Sequence, residues 1–461
     1  MSTAPQAASR PSSAAAFFLV ASLVSGLVHL VVTPPFQAPD EAAHFFRAWR
    51  VSEGRLDLRP GRERAWIEVP SGLLRAGAEL YGPTPFRAAR AISFEELRHA
   101  AAVPVGTTRE RVYAPNTLQY TFVPYVPQAV GVALARASSA SALGALYAAR
   151  AMNLVVASLL VAWAIRRSPA YRWLTAALAL TPMAVALRAS VSADALALAA
   201  ACLLLSLIAH LAWGSTARGR GDLLLLLAAA ALLCATKAAY VPLLVLVFLV
   251  PRDRWPSLAG PRWVSLTAFA ALTMGVTAWV LATARAVPAL RVDVPVDPPR
   301  QVAHALAHPL DFAAIVIRDY VLHAPRYAAQ LVGKLGWLDV PLPAVFLGGY
   351  LLLLATLLVL DGSRGVEIQA WQRWLVAGAV ATCLVLVSAS QYALWTPLGA
   401  AVVEGVQGRH LLPVAVAAIW AFHSRRWADR RARAVATATI AGSAIALLVA
   451  AQALLAHYFR G

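Results

Sequence analysis

The chain has 461 residues, of which 60% are hydrophobic and only 13% are charged. About a quarter of the residues in an ordinary soluble domain are charged, so this composition excludes a soluble globular protein. The 40 Lys and Arg residues outnumber the 22 Asp and Glu residues and give a net charge of +18. They form no basic stripe with interleaved aromatic residues, which argues against a nucleic-acid partner.

Apolar runs of about the length that spans a bilayer recur along the whole chain. We count eleven, at 14–33, 144–165, 173–189, 195–213, 222–236, 238–250, 262–283, 342–360, 373–389, 408–423 and 434–457. The stretch 115–136 is amphipathic and is interrupted by three prolines, which disfavour a straight helix. We therefore predict a re-entrant or interfacial segment there.

The sequence thus predicts an all-α polytopic membrane protein with about eleven transmembrane helices plus this segment. Residues 1–13 are expected to be a disordered cytoplasmic leader, and residues 14–461 a single membrane domain. The first apolar run could pass for a signal peptide, but the many further runs favour an uncleaved first helix.

The orientation follows from Lys and Arg residues in short loops, which face the cytoplasm. If 115–136 does not cross, the basic clusters between apolar runs share one side with the N-terminus. Two long segments, about 34–113 and 284–341, are then extracytoplasmic loops, and we expect them to carry interfacial helices. This topology requires 222–250 to be a hairpin of two short helices with Lys237 at its outer tip.

Acidic residues cluster at the predicted outer ends of two spans. Asp40 and Glu41 follow the first span, with His44 about one helical turn later, and Asp194 follows the third apolar run. Polar groups near membrane depth are costly, so they are usually functional or paired. The alternatives are that Asp40 and Asp194 only cap helices, and that His44 packs as a neutral helix residue instead of orienting an acceptor.

Cationic and other polar residues occur at three further outer positions. Lys237 lies alone between two apolar stretches, where it needs a partner or water. Arg409 lies at an outward helix start between Gln407 and His410, an arrangement that suits a phosphate or an interfacial anchor.

Trp337 and Asp339, in the run 333–339, precede another span. Such residues form either an interfacial aromatic belt or a binding platform. All these residues share the predicted outer face. Acids together with Arg, Lys and His suit a substrate with a lipid tail, a phosphate at headgroup depth and a polar head, such as a polyprenyl-phosphate sugar.

Five motifs resemble those of a bacterial family of predicted integral membrane proteins, the domain of unknown function 2142. They lie at 39–48, 181–194, 237–240, 333–339 and 406–413. The resemblance covers about residues 16–423. More distantly, the chain is similar to the GT-C superfamily of polyprenyl-phosphate-dependent glycosyltransferases. His410 departs from the family, which usually has Tyr at that position.

The superfamily resemblance implies an inverting sugar transfer on the outer face of the bacterial cytoplasmic membrane, to an envelope glycan or protein acceptor. It implies that Asp40 takes the acceptor proton or binds a divalent cation. Glu41 and Asp194 would support it as acids or metal ligands. Lys237 and Arg409 would stabilise the departing phosphate. No other cofactor is expected.

Two other functions are compatible with the same residues. One is a transporter or flippase for lipid-linked glycans, and the other is a non-catalytic subunit of envelope assembly. Transporters often have internal repeats and polar groups near the bilayer midplane. No repeat is visible here and the polar residues gather at one predicted surface, which favours the enzyme.

Overall fold

The computed structural model describes residues 13–56, 62–81, 91–214, 219–255, 262–284, 287–291, 293–428 and 431–459. The predicted leader lies outside these residues except for Ser13, where the first helix begins. The described part is mostly helical, which confirms an α-helical membrane architecture at that level. It also contains two short antiparallel sheets that the sequence did not indicate.

The helices of the first half of the chain are α1 (Ser13–Val32), α2 (Glu41–Ser52), α3 (Ser71–Tyr81), α4 (Phe94–Ala102), α5 (Val126–Ala137), α6 (Ala142–Arg167), α7 (Arg172–Ala179), α8 (Pro182–Arg188) and α9 (Ala193–Trp213). Those of the second half are α10 (Arg220–Thr236), α11 (Arg262–Ala284), α12 (Pro298–Ala307), α13 (Pro309–Gly333), α14 (Ala344–Leu360), α15 (Ala370–Leu394), α16 (Leu412–Ala421) and α17 (Ala432–Tyr458).

Short 3-10 helices lie at Arg62–Ala65, Pro115–Thr117, Val123–Tyr125, Ala238–Leu249, Arg252–Arg254 and Gly408–Leu411. Strands β1 (Trp66–Pro70) and β2 (Arg109–Tyr113) pair antiparallel with Trp66 opposite Tyr113. Strands β3 (Lys334–Leu335) and β4 (Val340–Pro341) form a small hairpin. The described residues of the predicted outer segment 34–113 are therefore folded, and Phe45, Ile67 and Leu73 among them belong to an apolar core that they share with α5 and α6.

Five described helices are long and apolar enough to cross a membrane: α1, α6, α9, α15 and α17. Four shorter apolar helices lie at Ala238–Leu249, Leu266–Trp279, Ala344–Leu360 and Gly408–Ala421. The predicted total of about eleven spans stays a prediction. Helix α9 is the central one, because all its side chains from Ala193 to Ala212 are buried.

The predicted span at 173–189 is not one continuous helix. The apolar run 173–189 is divided into α7 and α8, which have eight and seven residues and are too short to cross a bilayer. Thr181 caps the second helix by accepting a hydrogen bond from the Ala184 N–H at 3.3 Å. Pro182 follows in the first turn, where its missing N–H is tolerated, and it prevents α7 from continuing.

The two segments on which the topology depended have the expected local form. Residues 222–250 form α10 and a 3-10 helix that meet at Lys237. Residues 115–136 form two single 3-10 turns and then α5. The exposed Val126, Val130 and Leu134 make an apolar stripe along α5, as in an interfacial helix.

A buried ion pair ties α1 and α6 to the turn before α2. The Glu41 and Arg150 side chains are both 0% exposed and lie 2.6 Å apart, with a second contact at 2.8 Å. Glu41 also accepts hydrogen bonds from the Phe36 and Val191 N–H groups. Arg150 on α6 donates further hydrogen bonds to three carbonyls at the end of α1 and beyond, those of Leu30, Thr33 and Pro34.

Removing one charge of this pair should destabilise the protein strongly. Glu41→Gln leaves the Arg150 guanidinium buried without a counter-charge, and we expect a loss of about 3–5 kcal/mol in the free energy of unfolding. The matched control is Glu68→Gln, because Glu68 and its partner Arg55 are 47% and 49% exposed and a surface pair contributes about 0–1 kcal/mol. Unfolding of both variants in detergent checks this, and equal losses would contradict it.

Candidate functional site

Asp40 immediately precedes α2 in a left-handed backbone conformation, with φ of 62°. Asp adopts this conformation more readily than most residues. Its carboxylate makes no capping hydrogen bond with α2. Instead it accepts hydrogen bonds from Asn116 Nδ2 at 3.0 Å and from Arg409 Nη2 at 3.3 Å. Asp40 is therefore turned towards other segments and away from the helix that it precedes.

Asp194 lies in the first turn of α9, but Ser192 occupies the capping position. One oxygen of Asp194 accepts a hydrogen bond from Lys237 Nζ at 2.8 Å. The other lies 3.8 Å from Arg409 Nε. Capping thus explains neither acid, and both carboxylates face Arg409.

Four residues consequently form a chain of alternating charge, Asp40, Arg409, Asp194 and Lys237, which we call the charged cluster. Their side chains are 38%, 8%, 11% and 14% exposed, respectively. Ion pairs this deeply buried are strong only when further hydrogen bonds satisfy them. Asp40 is the member of the cluster most exposed to solvent. The two cations, Arg409 and Lys237, are buried on either side of Asp194.

Arg409 is positioned by a close approach between two segments. A Cβ on Gly408 would overlap the backbone oxygen of Tyr327 on α13, so only glycine fits. The Gly408 N–H donates to Gln330 Oε1 at 2.8 Å. This contact holds the 3-10 turn that presents Arg409 to the two acids.

Aromatic side chains surround Lys237. Its Nζ lies 5.9 Å and 5.8 Å from the ring centroids of Tyr120 and Tyr240, within the range of a cation–π interaction. The Tyr240 hydroxyl donates to the His410 backbone oxygen at 2.9 Å, which ties the residue after Arg409 to the Lys237 segment.

His44 lies beside the cluster and is itself neutral. A 2.9 Å hydrogen bond joins its Nδ1 to the Tyr125 hydroxyl, and its ring packs edge-on against Tyr120. Burial lowers the pKa of the His44 imidazole below its usual range and raises the pKa of the Tyr125 hydroxyl. Both groups are therefore uncharged at neutral pH.

Several buried polar atoms at the cluster have no hydrogen-bond partner among the described residues. They are Arg409 Nε, Gln407 Oε1 and His410 Nδ1. Buried polar atoms are normally satisfied, so such a group needs an explanation. All three lie within residues 407–410, the segment that presents Arg409 to Asp40, and a polar ligand bound there would satisfy them.

The other predicted site residues lie apart from the cluster. Glu41 belongs to the buried pair with Arg150. Trp337 donates to the Phe36 carbonyl at 3.0 Å, in the turn before Asp40. The Asp339 carboxylate lies 3.6 Å from His457 Nε2 on α17.

An apolar groove of about 780 Å³ runs between α10, α11 and the 3-10 helix after Lys237. Its lining includes Thr236 and Ala238, which flank Lys237, and Gln119 and Thr121, which flank Tyr120. The Thr121 hydroxyl donates to the Ala235 carbonyl and fixes this wall. The groove therefore passes the backbone of Lys237, although no member of the charged cluster lines it.

The sequence did not predict four residues that contact the cluster or support it. They are Asn116, Tyr120, Tyr125 and Arg150. The three in 115–136 belong to a segment for which the sequence predicts a re-entrant or interfacial form, and no pattern links that segment to Asp40. Arg150 carried a signal, since it is an arginine inside an apolar run and such a residue is functional or paired. Within the described residues, no group of three or more His, Cys, Asp or Glu side chains is arranged to hold a metal.

Comparison with known families identifies the chain's relatives. A family model described as a predicted membrane protein, the domain of unknown function 2142, matches residues 23–418. The chain belongs to this family. No curated protein matches it, and no solved structure does. The predicted family is thereby confirmed, whereas the similarity to GT-C enzymes stays a prediction.

Because His44 is neutral in the folded protein, we expect the free energy of unfolding to depend on pH. Because its pKa is lowered in the folded protein, the unfolded chain binds the proton at higher pH, and stability falls as the pH drops below about 6.5. We expect His44→Asn to reduce this slope by up to about 1.4 kcal/mol per pH unit. Unfolding of both proteins in the same detergent between about pH 5 and 7 measures the difference, and parallel profiles would contradict it.

Proposed function

We propose that the protein is a membrane glycosyltransferase. It transfers a sugar from a polyprenyl-phosphate donor to a glycan or protein acceptor on the extracytoplasmic face of the bacterial cytoplasmic membrane. The observation that carries the proposal is the apolar groove whose lining includes Thr236 and Ala238, the residues on either side of Lys237. A lipid-linked sugar has the same order of parts, an apolar tail, then a phosphate, then a polar head.

Lys237 and Arg409 are assigned to the donor phosphate. Both are almost fully buried and both are held by Asp194, so they are pre-oriented before substrate arrives. Fixed cations in a site of low dielectric stabilise a developing negative charge more effectively than mobile ones in water. Asp194 is thus a positioning residue in this proposal.

Asp40 is assigned as the general base, because its carboxylate is the most exposed group of the charged cluster. It would remove the proton of the acceptor hydroxyl as the acceptor oxygen forms a bond to the anomeric carbon. The bond from that carbon to the phosphate oxygen breaks, and the electron pair leaves with the lipid phosphate. Attack from the opposite side inverts the anomeric centre.

Supporting roles are assigned to the neighbouring residues. Gln407 and His410 flank Arg409 and are assigned to the sugar, and His44 to the acceptor. Glu41 acts through the turn that it stabilises, because Arg150 and two backbone N–H groups occupy its oxygens. Trp337 and its hairpin neighbour Asp339 are assigned to a platform beside that turn.

A divalent cation held by Asp40 and Asp194 was the predicted alternative to a simple base. In the structure the Arg409 guanidinium joins these two carboxylates, so a shared cation would have to displace it. The proposed reaction therefore uses Asp40 as a base without a metal.

Asp40→Asn should abolish transfer without unfolding the protein. The amide cannot take the acceptor proton, and loss of a general base typically costs about 10²–10⁴ in rate. The control is Asp293→Asn, because Asp293 is 65% exposed in a surface ion pair. Both variants and wild type are reconstituted with a mixed extract of polyprenyl-phosphate sugars and acceptors, and free polyprenyl phosphate is measured by mass spectrometry.

An unchanged rate in Asp40→Asn would remove the assignment of Asp40 as the base. Donor binding without release of lipid phosphate, in wild type as well as the variant, would instead favour a transporter or a non-catalytic assembly subunit.

Filling the groove should weaken binding of long donors only. Gly275 on α11 lines it, and a side chain there would meet open space. Gly275→Trp should raise KM for a full-length polyprenyl donor by about tenfold or more, because each displaced methylene loses about 0.8 kcal/mol. Gly348→Trp, equally open but on α14 outside the groove, is the control.

The test compares KM for the full-length donor with KM for a water-soluble donor of two isoprene units in both variants. An equal rise for the short donor would show that Gly275→Trp disturbs the cluster itself. No rise for either donor would remove the groove from the proposal.

A further inference from the structure

A second cavity, of about 530 Å³, lies between α12, α13, the end of α15 and the loop 398–401. No residue of the charged cluster lines it. Its polar lining is Arg300, Gln301, His304, Asp311, Arg318 and Tyr392. On each helix these residues share one face, since they recur at spacings of three, four or seven.

Two hydrogen bonds between elements hold the walls of this cavity in place. Gln301, which is 1% exposed, donates to the Thr396 carbonyl at 2.9 Å and fixes the loop after α15. His304 Nδ1 bonds to the Tyr392 hydroxyl at 3.1 Å and fixes α12 to α15. The helices and the loop that line the cavity are therefore held in fixed positions relative to one another.

The cavity carries excess positive charge. Within the described part of the chain, neither the Arg300 nor the Arg318 guanidinium makes an ion pair. The single acid of the lining, Asp311, lies 4.0 Å from His308 Nδ1. Each guanidinium group can therefore donate two parallel N–H hydrogen bonds to the oxygens of a phosphate.

An apolar stripe borders the cavity along α13. Leu310, Ile317 and Val321 are 84%, 62% and 69% exposed, and their spacing of seven and four places them on one helix face. Each of Asp311 and Arg318 is the next residue after a member of the stripe, so the polar and apolar faces adjoin. An exposed apolar face of this kind on a membrane protein faces lipid.

We propose that this cavity binds the anionic headgroup of a membrane lipid, with Arg300 and Arg318 on its phosphate and the acyl chains along the stripe of α13. The site is separate from the donor groove, and it stands or falls independently of glycosyl transfer.

The test measures lipid binding to the full-length protein in neutral detergent by native mass spectrometry. The probes are phosphatidylglycerol, which is anionic, phosphatidylcholine, which is zwitterionic, and inorganic phosphate as a competitor. The variant is R300Q/R318Q. The control is R326Q, because Arg326 is also on α13 and exposed, but it lies against the Tyr327 ring and does not line the cavity.

We expect wild type and R326Q to bind phosphatidylglycerol with the same affinity. We expect the affinity of R300Q/R318Q to be lower by a factor of about ten or more. Unchanged unfolding temperature in the variant shows that the fold is retained. Undiminished binding by R300Q/R318Q, an equal loss in R326Q, or equal affinity for phosphatidylcholine would overturn the proposal. Displacement of the lipid by equimolar phosphate would show a site for soluble anions instead.

Discussion

The buried pair of Glu41 and Arg150 is the constraint on which the arrangement of the charged cluster depends. A fully buried charge is tolerated only with a counter-charge and complete hydrogen bonding, and here both partners reach into the backbone of other segments. Arg150 binds the carbonyls that end α1, and Glu41 binds N–H groups before α2 and before α9. The turn that carries Asp40 and the helix start that carries Asp194 are thereby fixed to one point.

The charged cluster inherits its geometry from that arrangement. Asp40 and Asp194 are presented from the two segments that Glu41 joins, and Arg409 enters between them from a turn that packs on α13. Lys237 reaches Asp194 from the break between α10 and the following 3-10 helix. Four chain segments distant in sequence thus meet at the charged cluster, and the apolar groove reaches the two residues that flank Lys237.

The sequence predicts the four charged residues of the cluster, but it does not predict the residues that contact and position them. Asp40, Asp194, Lys237 and Arg409 each carry a local signal, a charge at the end of an apolar run, and a single topology brought them to one face. Glu41 carries the same signal as Asp40. Although it is only one residue further along the chain, its carboxylate points into the core. That difference depends on the left-handed backbone at Asp40 and on Arg150, which no local pattern specifies. The break in 173–189 was readable from Thr181 and Pro182, because that pair is a helix start.

Charge compensation bears on the class of substrate that the cluster suits. Its two cations and two acids balance, so a phosphate entering between Lys237 and Arg409 competes with Asp194 for the same donors. Such competition weakens ground-state binding, and it favours a group whose negative charge grows along the reaction. A sugar phosphodiester gains negative charge as it leaves as a phosphomonoester, whereas a flippase carries a headgroup of constant charge. In the proposed function, differential binding would give Asp194 a role beyond compensating the two buried cations, a role that carriage of a headgroup of constant charge would not require.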